Sequence, residues 1–573
     1  MKRIKRWTAL ALSAALSAGV LAGCGQTETV SVLSVCAGSD VTTFDPAYLS
    51  TNADNTVAGS LYEGLMRLTC STSGDTTVVE GMAKSVDMDE NFDGTVTYTF
   101  HLRNARWSDG QEVTADDFVY AWQRLVNPLT YSPNAALLSS VKGYSAVRAG
   151  GEPDQLAVTA KNDSTLEVVL TGKYDWFLTE VCTSPATSPL RQDVVQSLKE
   201  NAQAAEQSAG ENAQPLKWWY DPTQLVTNGA YLVSDYQPGE AMDLARSDSY
   251  HGRVGNDGLR FLFADSVEDA WALYDAGTVD FTYALPQAQM ETLVSEGQTL
   301  TPQLSTYTVL FNGEQQPFDD PAVRRALTLA VDRQALAALA GGTAQAAEGL
   351  VPYGVPGDGE QDFRTTGGDL LYSSAEDYQN NCAQAKGLLA ESNYDDRYQL
   401  EYLYVDEGPA AEIAKALTGQ WKTVLGVRVQ TRAVTEKEMS TALKTGDYAL
   451  AGVCKTALMN DAEAFLCPFT SKSSENVVGY ANGAYDTLLN IIDSASDPVA
   501  RLACLHDAEA LLLQDAAVCP LYTNSTAWKL REGWSGLCRD ARGWFSFTGG
   551  GAGAGGGGGV SIRGAGAWAR KRR

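Results

Sequence analysis

Apolar and polar residues alternate along Val96-Thr97-Tyr98-Thr99-Phe100, the period of a strand with one face buried. After Pro321, apolar residues recur at helical spacing through Ala322–Leu339, and the proline marks a helix start. Asp109-Gly110 predicts a turn, and Thr114 with Asp117 three residues on predicts an N-capped helix entering Phe118, Ala121 and Trp122. Patterns of both kinds follow one another along the whole chain, and no period of 20–50 residues recurs. A mixed α/β protein is expected, and solenoids and propellers are excluded. At 573 residues the chain exceeds what one core supports, so two or three domains around a cleft are expected.

Two stretches break the pattern. Residues 197–217 are polar and rich in Ala and Gln, and read as an exposed helix or loop. Past Phe547 the chain becomes Gly-rich from Gly549 to Gly559 and ends VSIRGAGAWARKRR, which offers too little apolar surface to fold. A disordered tail over 549–573 is expected. At the other end, a basic stretch precedes the apolar run Ala9–Ala22, which falls short of the roughly 20 residues of a membrane span. This reads as a signal peptide over residues 1–23.

Composition narrows the function classes. Hydrophobic residues make up 44% and charged residues 20%, as in an ordinary globular protein. The formal charge of −27 opposes binding to nucleic acid and to anionic lipid. Removing residues 1–23, with four positive charges and no acid, takes it to −31. Ten cysteines without a C-x-x-C pair and three scattered histidines indicate neither a disulfide scaffold nor a zinc site. There is no G-x-S-x-G and no H-E-x-x-H, and Gly172-Lys173 is followed by Tyr174 where a phosphate loop needs Ser or Thr. Asp89-Glu90-Asn91-Phe92-Asp93-Gly94 starts like a calcium loop, but its closing position holds Phe100, and a hairpin turn is the better reading. No catalytic residue, metal or cofactor is expected. An extracytoplasmic hydrolase is the rival, separable by whether a peptide mixture survives incubation intact.

Longer stretches resemble a known family. Thr43-Phe44-Asp45-Pro46, Leu61-Tyr62-Glu63-Gly64-Leu65, the run from Tyr98 to Trp122, Thr227-Asn228-Gly229-Ala230-Tyr231, Pro317–Leu327, Leu425-Gly426-Val427, Asp461–Leu466 and Cys519-Pro520-Leu521-Tyr522 occur in the order of the dipeptide and oligopeptide solute-binding proteins, extracellular solute-binding protein family 5. The likeness covers roughly residues 40–540. Leu21-Ala22-Gly23-Cys24 likewise resembles the bacterial lipobox, in which the cysteine takes a lipid. Trp107 and Trp122 are expected in the core rather than on a ligand.

The resemblance implies an α/β, periplasmic-binding-protein-like fold (type II, cluster C) whose lobes close over an interdomain cleft. It places lobe I at 24–62, 183–302 and 522–548, lobe II at 63–182 and lobe III at 303–521. It implies a monomeric receptor, lipid-anchored through Cys24 on the outer face of the cell membrane, that binds peptide and hands it to ABC permease subunits with separate ATPases. Strand-like pairing to the ligand backbone supplies affinity without sequence demand. The implied ligand residues are Asn228, Tyr231, the backbone of Ala451, Gly452, Val453 and Cys454, and Thr456. Thr456 stands about where short-peptide relatives place an aspartate for the peptide ammonium, with Asp461 as the alternative acid, and Leu450 roughly where some place an arginine for the carboxylate. A longer peptide, or a metal chelate, saccharide or opine-like solute, is therefore expected over a tightly measured dipeptide.

Replacing Cys24 by Ala should release the protein from membranes. Cell fractionation checks this, and a variant as firmly membrane-bound as the parent contradicts the lipid anchor.

Overall fold

The alternating segment forms the strand Val96–Leu102, with Val96, Tyr98, Phe100 and Leu102 buried and the residues between them half-buried. The structure is a computed structural model that describes residues 31–70, 76–174, 176–209, 216–298, 300–341, 343–359, 361–371, 374–492, 497–549 and 551–552. The expected signal peptide over residues 1–23 and Cys24 lie outside the described residues, as does most of the 549–573 tail. The described part of that tail, Gly551–Ala552, pairs antiparallel with Trp534–Ser535, so order extends past the boundary expected at Gly549. The acidic stretch is a hairpin turn: the Gly94 N–H donates to the Asn91 carbonyl at 3.1 Å, and Gly94 takes φ +83°.

Trp107 and Trp122 are both fully buried, their indole N–H groups donating to Asp117 Oδ2 (3.1 Å) and the Thr187 carbonyl (2.8 Å). Asp117 also accepts from the Thr114 amide at 2.8 Å, closing the predicted cap of the helix Ala115–Val126. The long helix predicted after Pro321 is instead two, Pro321–Leu329 and Arg333–Ala340. Asp332 separates them, because its carboxylate caps the Ala335 amide at 3.0 Å and its own N–H turns to Gln420. The polar stretch from residue 197 continues the helix Gln192–Ala209.

Three sheets carry the architecture. The first has the order Lys529–Leu530, Phe281–Thr282, Val32–Cys36, Gly258–Leu262, Ala241–Arg246, Tyr231–Gln237, so it is assembled from both ends of the chain. The second has the order Ala83–Glu90, Val96–Leu102, Thr165–Leu170, Val158–Asn162, and its strands are inserted between those of the first. The two sheets share one core, because Leu33, Phe261 and Phe281 belong to the same buried cluster as Phe100, Trp122, Val168 and Phe177. The third has the order Gln345–Ala346, Val518–Thr526, Thr301–Phe311, Leu450–Thr456, Leu400–Val405, Val429–Val434. Apolar clusters cover both of its faces, Leu310, Leu403 and Ala451 on one and Val309, Tyr402 and Leu450 on the other, as the twofold period of a strand requires.

These regions meet at Glu180, in the helical turn Phe177–Val181. Its carboxylate accepts the Asn460 amide at 3.3 Å and lies 3.6 Å from Arg542 Nε. Arg542 in turn donates to the Glu180 carbonyl (2.8 Å), Thr183 Oγ1 (3.3 Å) and Asp540 Oδ2 (2.6 Å), and lies over the Trp544 ring. Burial pushes the Glu180 carboxyl up to about 7; Arg542 and the Asn460 amide oppose this, and Asp540 and Asp461 add to it. A carboxyl held above its ordinary value of 4.5 favours folding while protonated, and that contribution is lost as pH rises through about 7. Parent stability should fall between pH 5 and pH 8, and Glu180→Gln should remove that part of the fall. Denaturant midpoints of both proteins at the two pH values check this, and parallel pH profiles contradict it.

Candidate functional site

Strand Leu450–Thr456 pairs antiparallel with Thr301–Phe311 along its whole length, from Leu450 against Phe311 to Thr456 against Ser305. On its other side the parallel neighbour Leu400–Val405 pairs only with Leu450, Ala451 and Gly452. That neighbour stops because the chain turns away: Glu407 donates to the Val405 carbonyl at 2.9 Å, Gly408 takes φ +50°, and Pro409 leads into the helix Ala410–Leu425. Among the described residues, Val453–Thr456 is thus a strand edge without a ladder partner on that side. The Ala457 amide donates to the Leu304 carbonyl at 3.1 Å, so by alternation the amides of Cys454 and Thr456 point to the open edge. Cys454 and Thr456 are exposed and Val453 is half-buried. An extended ligand backbone can add to such an edge as a further strand.

The two faces of the edge differ. A Cβ on Gly452 would collide with the hydroxyls of Tyr402 and Tyr307, so glycine lets both rings close over the strand. Tyr307 stacks on Tyr522 with centroids 5.0 Å apart and planes 9° from parallel. On the opposite face Lys455 lies with Nζ 5.5 Å from the Phe469 ring centroid, and burial lowers its pKa against the pull of Glu475. No hydrogen bond or ion pair to Lys455 Nζ is formed among the described residues.

The structure gathers Ala451, Gly452, Val453, Cys454 and Thr456 on this strand, Ala451 with its side chain in the core and only its backbone available. The Thr456 hydroxyl has a long contact of 3.9 Å to Cys454 Sγ. Asp461 is turned elsewhere: both its oxygens take Arg501 at 2.9 and 3.0 Å, and Arg501 also holds Glu463 at 2.6 Å. Leu450 is fully buried and presents nothing to a ligand. Asn228 and Tyr231 are not brought to the edge as side chains. The Asn228 amide group is committed to the Glu63 backbone, donating to its carbonyl (2.9 Å) and accepting from its N–H (3.1 Å). Tyr231 is fully buried and its hydroxyl donates to Asn256 at 2.7 Å. Sequence reasoning misses Lys455 and the tyrosines 307, 402 and 522. Lys455 sits next to predicted residues and could have been found there, whereas the tyrosines come from other strands and need the register.

A cavity of about 70 Å³ lined by Asn55, Tyr62, Glu63, Arg67 and Trp544 holds a few waters at most and is too small for a peptide. The model of the bacterial extracellular solute-binding proteins, family 5 (middle region), matches residues 77–476. The chain is 31% identical over 518 residues to the periplasmic oligopeptide-binding protein OppA of Escherichia coli strain K12, covering 87% of this chain and 88% of that protein. It is also 31% identical over 494 residues to the probable deoxycholate-binding periplasmic protein YgiS of the same strain, covering 84% and 86%. Among solved structures, Haemophilus influenzae OppA in complex with RPPGFSPFR superposes with a TM-score of 0.72 at 27% identity, over 90% of this chain and 97% of that one. The chain therefore belongs to the family 5 bacterial extracellular solute-binding proteins, with their periplasmic-binding-protein-like α/β fold, and is a binding protein of transport rather than an enzyme.

Proposed function

We propose that the chain is the lipid-anchored receptor of an ABC importer, binding oligopeptides between its lobes and delivering them to the permease. The observation that carries this reading is the unpaired edge Val453–Thr456, whose outward amides at Cys454 and Thr456 match the spacing of a peptide backbone. Recognition through the backbone leaves peptide sequence largely open. The three lobes are the segments 24–62 with 183–302 and 522–548, then 63–182, then 303–521. The strand pair Thr301–Phe311 and Val518–Thr526 runs across the two joints of the third lobe, which suits a hinge. Cys24 carries the lipid, the ATPases are separate chains, and the receptor acts as a monomer.

A second reading, a non-peptide solute in the same cleft, is favoured by the likeness to a protein whose name specifies deoxycholate. Mass spectrometry of the solute that co-purifies with the protein separates the two.

With a neutral hydroxyl at Thr456 and Asp461 bound to Arg501, a free peptide amino terminus gains no ionic partner from either residue. Acetylated and free peptides should bind within a few-fold of each other. Thr456→Asp should create a preference for the free form of about tenfold or more, since an ionised partner adds roughly 1.5–3 kcal/mol to a hydrogen bond against about 1 for a neutral one. Calorimetry with both peptides and both proteins tests this; a hundredfold preference for the free amine in the parent contradicts it.

A further inference from the structure

Arg539 is a buried cation that no carboxylate or carbonyl holds among the described residues. It is 6% exposed, and its Nε and Nη1 are sealed from water with no hydrogen bond. Its guanidinium carbon lies 5.8 Å from the Phe545 ring centroid, a contact that leaves the N–H groups unused. Burial lowers its pKa, and the neighbouring Asp540 only partly offsets this. That acid is committed elsewhere, to Arg542 Nε at 2.6 Å and to the Trp544 amide at 2.9 Å. A guanidinium so placed lacks the hydrogen bonds that normally accompany a buried charge.

Its third nitrogen, Nη2, lies close against Gly543, which has no side chain and takes φ +98°. A point one Cβ out from Gly543 lies 3.1 Å from Arg539 Nη2 and 3.5 Å from Asn52 Nδ2, and the next atom is the guanidinium carbon at 3.8 Å. The two donors thus converge beside the Gly543 backbone with no side chain between them, and one carboxylate can bridge them. Asn52 is exposed and opens the ten-residue helix Asn52–Leu61, whose positive end adds to the field. Asp54 in its first turn accepts from the amides of Thr42, Ser50 and Thr51 and forms no ion pair with Arg539. The turn that carries Arg539 and Gly543 also carries Ala541, packed against the core of the third sheet, and Arg542, which holds Glu180 beside Asn460. Asn460 lies four residues beyond the open edge.

We propose that Arg539, Asn52 and the cradle over Gly543 form a carboxylate-binding site that takes the acid group of the transported solute. This rests on the peptide-receptor reading for its ligand and replaces, from the other end of the chain, the anchor that Leu450 does not supply.

The test retains a random tetrapeptide library, half free acids and half C-terminal amides, on the full chain and reads the bound set by mass spectrometry. The parent should retain free acids about tenfold over amides. Asn52→Asp places a carboxylate on the exposed first turn, where an acid suits the helix, and should abolish the preference while melting at or above the parent. Arg539→Gln should abolish it too. A parent that retains acids and amides equally overturns the site. If no peptide is retained, the peptide reading has failed, and melting in inorganic phosphate at fixed ionic strength decides the site by itself. A rise for the parent and none for Asn52→Asp upholds it, and equal responses overturn it. Preferential retention of deoxycholate over an uncharged sterol, lost in Asn52→Asp, assigns the same site to a non-peptide acid.

Discussion

The unpaired strand edge at Val453–Thr456 is the constraint on which the rest of the binding account depends. A strand with ladder bonds on one side and none on the other holds its outward amides at fixed spacing without committing them, so a ligand backbone finds them already ordered. Two features create it. Thr301–Phe311 supports the strand over all seven residues, and Gly408 with Pro409 diverts Leu400–Val405 before it covers the last four. Gly452 adds a third, admitting the tyrosines that wall one face. A bulkier residue there would push the rings off the strand and blur the edge.

Charge around the junction is managed unevenly, and that unevenness bears on ligand class. Three acids around the junction are tied up, Asp461 and Glu463 by Arg501 and Glu180 by Arg542 and a backbone amide, while Glu475 pulls on Lys455 without an ion pair. Lys455 and Arg539 form no ion pair with a carboxylate among the described residues. In a chain of formal charge −27, two partly or fully desolvated cations without ionic partners favour a solute that brings negative charge.

Local chemistry is legible from sequence where it is self-contained. The Val96 strand, the Asn91–Gly94 turn and the Thr114–Asp117 cap each depend on neighbours a few residues away, and the structure contains all three. Spacing alone runs the helix after Pro321 too long, because Asp332 stops it through Gln420, 88 residues on. Asn228 and Tyr231 lie in a family-like segment, yet their polar groups serve Glu63 and Asn256, which no spacing rule reveals. The residues of the strand Ala451–Thr456 can be picked out by family likeness, but its open edge follows from where a different strand ends. Arg539 carries no sequence signal, since its meaning comes from Asn52 nearly the whole chain away.

Amide hydrogen exchange on the full chain, with and without a saturating oligopeptide, tests the central claim most directly. The account predicts that the amides of Cys454 and Thr456 exchange quickly in the free protein and become strongly protected when peptide is bound, while those of Val453 and Lys455, already bonded to the Thr301–Phe311 strand, change far less. Protection that appears elsewhere and leaves Cys454 and Thr456 as they were would contradict it.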